Sequence, residues 1–251
     1  MKSMRKLIIP ITAFSLLVWS AYGIGFDFVL FRDLGNTYRF IVTQWFPLDL
    51  QDAGIAIHAM IITLQIALFS TMVALFIALP GSFLAAANFT PSRWIYNSTR
   101  LIFNLFRSIP ELVLALIFIP TLGLGPMPAV IALIVHNIGV FGKMISELIE
   151  AMDKGPQEAV QSVGGTKLLV ALYGILPQVI PHILSQYFYR LEVAIRTCLI
   201  LGIVGAGGLG QLLYNDFKQF MYQKVAFEVL LIMILVTAVD YLGAYFRKRV
   251  I

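Results

Sequence analysis

IAIHAMIITLQIALFSTMVALFIALPGSFLAAA, residues 55–87, contains no aspartate, glutamate, lysine or arginine. About 20 mostly apolar residues are enough to cross a bilayer core. This run is therefore long enough to cross with tilt, or with a break at Pro80-Gly81. Lipid offers no partner to open backbone groups, so a helix is the expected form. Five more runs read the same way, at about Leu7–Phe26, Leu101–Leu122, Ala129–Ile149, Val179–Val204 and Val225–Phe246. None shows the short period-2 alternation of a membrane β-barrel. The expected fold class is all-α, a polytopic membrane protein with about six transmembrane helices.

Composition agrees. The 251 residues are 59% hydrophobic and 12% charged, with mean hydropathy +0.87. Soluble domains carry roughly a quarter charged residues, so this chain cannot cover a water-facing surface of its size. The net charge of +5 sits at the ends of apolar runs rather than in one patch, which speaks for membrane orientation and against nucleic acid. Six spans put Lys2, Arg5, Lys6, Arg93, Arg100, Lys154, Lys167, Arg247, Lys248 and Arg249 on one side, and Arg32, Arg39, Lys218 and Lys224 on the other. The bias places both termini in the cytoplasm. Lys2, Arg5 and Lys6 ahead of an apolar run also suit a signal peptide, with Ser20–Gly23 as a small-residue cleavage site. The apolar run exceeds the usual signal core, so a retained helix is expected. Cys198 is the only cysteine and reads as small apolar filler, and three histidines make no metal cluster. Residues 1–54 read as an N-terminal helix with an extracytoplasmic segment, and residues 55–251 as one core.

Between the fourth and fifth runs lies Glu158-Ala159-Val160-Gln161-Ser162-Val163-Gly164, with Leu176-Pro177 further on. Pro156 suits the first turn of a helix. A carboxylate at Glu158 is favoured by the dipole there and is left to meet a partner's cation. Ala159 lets another surface approach, Gly164-Gly165 permits a sharp stop, and Pro177 is expected to end a helix before the fifth span. The loop 153–177 should be a rigid elbow protruding from the membrane.

This pattern resembles the cytoplasmic signature of the permease subunits of ATP-binding-cassette importers. There Glu-Ala-Ala is followed by three residues, a glycine, nine residues and Ile-x-Leu-Pro. Glu158, Ala159, Gly164, Leu176 and Pro177 match in spacing, while Val160 and Gly174 depart, with Ile175 beside Gly174. The resemblance implies that the elbow docks in a groove of an ATPase subunit. It further implies a transporter of two permeases (a second copy or a paralogue), two ATPases and an extracytoplasmic binding protein in a bacterial inner membrane. ATP and magnesium would then belong to the partner ATPase, with no cofactor on this chain. A second set of residues is similar to the phosphonate branch of that family, whose relatives carry phosphite or hypophosphite: Arg107-Ser108-Ile109-Pro110-Glu111, Gly123-Leu124-Gly125-Pro126, His136, Gly142-Lys143, Tyr189-Arg190-Leu191-Glu192, Ile195-Arg196 and Gly202–Gly210.

Charges at bilayer depth are costly, so each is paired or functional by default. His136, Lys143, Glu147 and Glu150 share one helical face. Glu192 and Arg196 are four apart, as are Arg107 and Glu111 across Pro110. Arg190 has no carboxylate on its own turn. A guanidinium suits an oxyanion, so Arg190 and Lys143 are the candidates for the anion's path; helix packing is the alternative for every charge in this group. Gly205, Gly207 and Gly210 spell G-x-G-x-x-G, but they follow a span-length apolar run rather than a short strand, which rejects the dinucleotide reading. With Gly208 they suit a turn at a span's end, and in the family this segment lines the outer mouth. The sequence carries no phosphate-binding G-x-x-x-x-G-K-[ST], no H-E-x-x-H and no G-x-S-x-G, so no enzymatic reading has residues to rest on. The competing function is a stand-alone secondary transporter or channel for a small anion.

Overall fold

The computed structural model describes residues 2–27 and 33–250. Arg32, one of the charges in the orientation count, lies outside the described residues, as do the side chains of Lys2, Arg5, Lys6 and Arg249. The chain divides into two compact units, Met1–Phe46 and Pro47–Ile251. The first holds α1 (Lys2–Gly23) and α2 (Leu34–Gln44). The described apolar stretch of α1, Ile9–Gly23, is shorter than a full span.

The second unit is built of α3 (Ala53–Leu84), α4 (Arg93–Ser108), α5 (Glu111–Leu122), α6 (Pro126–Ala151), α7 (Gly155–Ser162), α8 (Lys167–Leu169), a π-helical turn (Val170–Ile175), α9 (Leu176–Ile203), α10 (Gly208–Lys218) and α11 (Tyr222–Val250). No strand occurs among the described residues. Four stretches are long and apolar enough to cross a membrane: Ala53–Leu84, Pro126–Ala151, Lys167–Ile203 and Tyr222–Lys248. The α4–α5 pair makes a fifth if counted as one span.

α6 is the central helix, with α3, α4, α5 and α9 packed on it. Its neighbour α3 presents a small-residue stripe, with Ala59, Thr63, Ala67 and Thr71 and then Ser70, Ala74, Ala78 and Ser82 at four-residue spacing, all buried. Stripes of this kind let two backbones come close where lipid is as apolar as leucine and close packing must do the holding. Phe103 of α4 lies over both Gly142 of α6 and Gly81 of α3: a Cβ at Gly142 would come within 2.4 Å of its ring. The outward faces keep large apolar groups such as Phe69, Phe76 and Met233 exposed, as a lipid-facing surface requires.

Of the two alternatives at Pro80-Gly81, α3 takes the unbroken one and ends at Leu84. Two expectations about continuity are corrected. The third run is not one straight helix, because α4 and α5 meet at 85°. Pro110 supplies no N–H and forces Ile109 into extended backbone (φ −87°, ψ 122°). Pro177 does not stop a helix. Residues Lys167–Ile203 run on through it, and the wide turn at Val170–Ile175 absorbs the lost backbone bond just ahead of the proline. There the Gln178 amide donates to the Gly174 carbonyl at 2.5 Å.

Candidate coupling elbow and intramembrane polar residues

α7 is the elbow's projecting helix. Pro156 sits in its first turn, and the Glu158 N–H donates to the Lys154 carbonyl at 2.8 Å. Glu158 and Ala159 are exposed. The helix closes in a Schellman turn: the Gly164 N–H donates to Gln161 and the Gly165 N–H to Val160, each at 3.0 Å. Gly164 takes φ +82°, where a β-carbon is strained. Gly164→Ala should cost the turn about 1 kcal/mol, read as roughly fivefold faster amide exchange at Gly165.

The departure at Gly174 has a structural reason. A Cβ there would stand 3.1 Å from the Gln157 α-carbon and 3.3 Å from the Pro156 carbonyl. The start of α7 therefore lies directly on the backbone of the π-helical turn, and an isoleucine at 174 would push it off. Ile175, next along, is 1% exposed and packs in the core with Val179, Ile183, Phe141 and Ile145. Gln157 and Gln178 both donate to the Asp153 carbonyl, at 3.0 and 3.3 Å, tying the two ends of the elbow together.

Of the four residues expected on one face of α6, Lys143 and Glu147 pair with each other, while His136 and Glu150 turn to partners from other elements. His136 Nε2 lies 3.2 Å from Glu111 Oε1, and its Nδ1 is 3.1 Å from the Ile109 carbonyl. Lys143 pairs with Glu147 at 2.9 Å. Glu150 accepts from Arg100 Nη2 and from the Ala87 N–H, both at 2.7 Å, while Arg100 Nε donates to the Ala85 carbonyl at 3.0 Å. This latch fixes the end of α3 to the end of α6, just ahead of the elbow. Arg196 pairs with Glu192. Arg107 and Glu111 are not brought together: the bend at Pro110 aims Glu111 at His136, and Arg107 stays exposed with no ion pair among the described residues.

Arg190 is different. Its Nε and Nη2 donate to Asn137 Oδ1 of α6 at 3.0 and 2.5 Å, and it makes no ion pair among the described residues. Asn137 is fully buried, and its Nδ2 donor has no partner among the described residues. Sequence reasoning passed over Asn137, although an amide inside an apolar helix next to His136 is a visible signal. It also missed the Arg100–Glu150 latch, because the two residues are 50 apart in the chain.

The glycine segment is the turn joining α9 to α10. Gly205, Gly207 and Gly208 have φ of +92°, +79° and +68°, and the Gly205 carbonyl accepts from the Gly125 N–H at 2.9 Å. That bond ties the turn to the α5–α6 turn. Gly210 lies in α10, with no room for a Cβ against the Leu199 carbonyl, 2.3 Å away. The preceding element is a helix, so no dinucleotide unit exists here.

Residues 78–251 match the family described as the binding-protein-dependent transport system inner membrane component. HtxC of Stutzerimonas stutzeri, provisionally named a phosphite transport system permease, is 33% identical over 248 residues, covering 98% of this chain and 88% of that one. The phosphite transport system permease PtxC of the same organism is 37% identical over 193 residues, 77% of this chain and 70% of that one. The phosphate-import permease PhnE of Mycolicibacterium smegmatis is 34% identical over 212 residues, 84% of this chain and 40% of that one. In fold, a chain of the MetNI methionine ABC transporter in an inward-facing form superposes with TM-score 0.74 at 22% identity, covering 81% of this chain and 100% of that one. The chain belongs to the family of binding-protein-dependent transport system inner membrane components, as a permease subunit and not an enzyme.

Proposed function

We propose that this permease moves a phosphite- or phosphonate-type oxyanion into the cell by alternating access, driven by ATP hydrolysed on a separate partner subunit. The observation that carries the reading is mechanical. α7 rests on the π-helical turn through Gly174, and that turn continues as one helix to Ile203. Arg190 stands 13 residues beyond Pro177 on the same helix, about 20 Å along its axis. Force applied at Glu158 and Ala159, with Gly164, Leu176 and Pro177 as the frame of the elbow, therefore reaches Arg190 through a single rigid element.

The relatives named for phosphite transport support an oxyanion cargo. Arg190 offers a guanidinium with no direct ion pair among the described residues and Asn137 an unused donor, both suited to anionic oxygens. Lys143 already carries Glu147 as counter-ion and takes a secondary place. Arg107, Glu111, His136, Glu192 and Arg196 set the surrounding field, and Gly205, Gly207, Gly208 and Gly210 shape the mouth opposite the elbow. In this reading residues 55–251 form the working core, residues 153–177 couple it, and a second permease of the same or a paralogous chain completes the path. The elbow and both termini face the cytoplasm; the latch at Arg100 and Glu150 lies on the elbow's side, and Asp49, Asp52 and Lys224 lie opposite.

The test is uptake of phosphite, hypophosphite and a phosphonate by vesicles holding the permease with its ATPase and binding protein. Arg190→Gln should lower uptake of the preferred anion by about 30-fold, as expected for about 2 kcal/mol of lost charged hydrogen bonding. The complex should still assemble. Full uptake without Arg190 would remove it from the path, and uptake that persists without ATP or binding protein would favour a stand-alone carrier.

A further inference from the structure

The helix α4 is apolar on one side only. Arg93, Asn97, Arg100, Asn104 and Arg107 recur at spacings of four and three, which sets them in one stripe along its whole length. The helix contains no aspartate or glutamate. Trp94, Leu101 and Leu105 form a separate exposed apolar face, suited to lipid. From Arg93 to Arg107 the stripe runs about 21 Å. It starts beside the Arg100–Glu150 latch, on the elbow's side. It ends at bilayer mid-depth: a Cβ at Gly139, midway along the 26-residue α6, would stand 2.6 Å from the Arg107 backbone nitrogen.

A guanidinium at that depth faces water or protein, because acyl chains offer it no partner. Its own chain does not claim it. Arg93 and Arg107 are exposed and make no ion pair among the described residues; of the three arginines in the stripe only Arg100 is taken, by Glu150. The carboxylates on the adjoining face of α6 are engaged as well, Glu147 by Lys143 and Glu150 by Arg100 and the Ala87 N–H. The stripe therefore keeps a free positive charge at each end. An open recess lies at each end too. Arg93, Tyr96 and Asn97 border one of about 450 Å³. Asn104, Arg107 and Ser108 border another, of about 490 Å³, with Val140 of α6. Val140 is within one helical turn of Asn137, which holds Arg190, so this second recess opens near the level of Arg190.

We propose that the α4 stripe is the cytoplasmic half of the anion's route: an oxyanion leaving Arg190 passes to Arg107, moves through water past Asn104 and Asn97, and departs at Arg93. The order of groups suits passage. A guanidinium draws anionic oxygens strongly, while a neutral amide donates to them more weakly, so the cargo is attracted at mid-depth and is not trapped on the way down. A second permease seated on the stripe is the weaker occupant, because it would have to bring carboxylates to two exposed arginines. The inference rests on the cargo and the orientation proposed above.

The experiment uses vesicles that hold the permease with its ATPase and binding protein, with the elbow's side outward. Asn104→Cys should react with a small anionic methanethiosulfonate added from that side, and phosphite supplied with the binding protein and ATP should slow the reaction. Leu105→Cys, on the lipid-facing side, should stay unreactive, since a thiol in lipid does not ionise. The single native cysteine, Cys198, is buried and gives little background. Arg107→Gln should lower phosphite uptake by about tenfold or more, while Arg107→Lys, which keeps the charge, should retain most of it. Arg107 is exposed, so the thermal midpoint should not move in either variant, which separates a lost contact from lost folding. An unreactive Asn104→Cys would overturn the proposal and assign the stripe to a protein interface. So would full uptake by Arg107→Gln. The cargo reading fails by a different result: wild-type vesicles that take up no phosphite, hypophosphite or phosphonate would refute it, and the reactivity of Asn104→Cys would still report whether the stripe is lined by water.

Discussion

Glu158→Arg is expected to abolish stimulation of the partner ATPase by loaded binding protein, while the purified permease keeps its fold. Glu158 lies in the first turn of α7, exposed and with no side-chain partner among the described residues. Nothing inside the protein depends on its charge except the helix dipole, which an arginine there would oppose by about 0.5 kcal/mol. The folded state is thus nearly indifferent to the change. At a docking surface the same change replaces an attraction with a repulsion. Truncating one member of a buried interfacial charge pair costs about 2–5 kcal/mol, and reversal should lie at the upper end, on the order of a thousandfold or more in affinity for the ATPase. Glu158→Gln, which keeps shape and loses only charge, should fall between. The measurement is ATPase activity with and without loaded binding protein, alongside co-purification of the two subunits. Wild-type behaviour of Glu158→Arg would show that the coupling contact is made elsewhere.

Gly139→Val should be strongly damaging to the fold. A Cβ at Gly139 would stand 2.6 Å from both the Arg107 nitrogen and the Phe103 carbonyl oxygen. Both are backbone atoms of α4, so no rotamer change relieves the clash, and α4 must lift off α6. Overpacking costs about 1–3 kcal/mol where neighbours can shift; here the cost should reach or exceed about 3 kcal/mol. The readout is the thermal midpoint in detergent and the yield of folded protein. Gly142→Ala provides the contrast. Its obstacle is the Phe103 ring, a side chain, so Phe103→Leu should rescue Gly142→Ala but not Gly139→Val. That difference is a double-mutant test of which contacts are backbone and which are not.

How much of this was legible before the structure depends on which kind of signal each part leaves. The apolar runs of α3, α6, α9 and α11 declare themselves, because bilayer thickness sets their length and lipid forbids open backbone. The elbow was readable because its residues are close in sequence and each has a local job: Pro156 opens α7 and Gly164 closes it. The prolines were the weak point. Pro80, Pro110 and Pro177 each remove the same backbone donor. One is accommodated inside a continuous helix, one forces an 85° bend and one is absorbed by a π-helical turn. The outcome depends on what packs around the proline, which no local pattern records. The long-range partners of the polar groups were hidden for a related reason. Helical spacing says which residues of α6 share a face, but His136, Lys143 and Glu150 choose partners from other parts of the fold or along their own helix, and Asn137 finds Arg190 across 53 residues.

The wide turn at Val170–Ile175 sets a phase. Each residue of an α-helix rotates the chain by about 100° and advances it by about 1.5 Å. An extra residue held in a π-turn therefore shifts the angular position of everything after it relative to everything before. α7 grips the chain at Gly174, inside that turn, and Arg190 lies beyond it. Tightening residues 170–175 to ordinary α-helix, with no change in length, would leave the elbow intact and the span apolar. It would swing the Arg190 side of α9 by about a quarter turn away from Asn137. The elbow and the polar face of α9 are thus keyed to each other as a crank is keyed to its shaft, and the key is one residue wide.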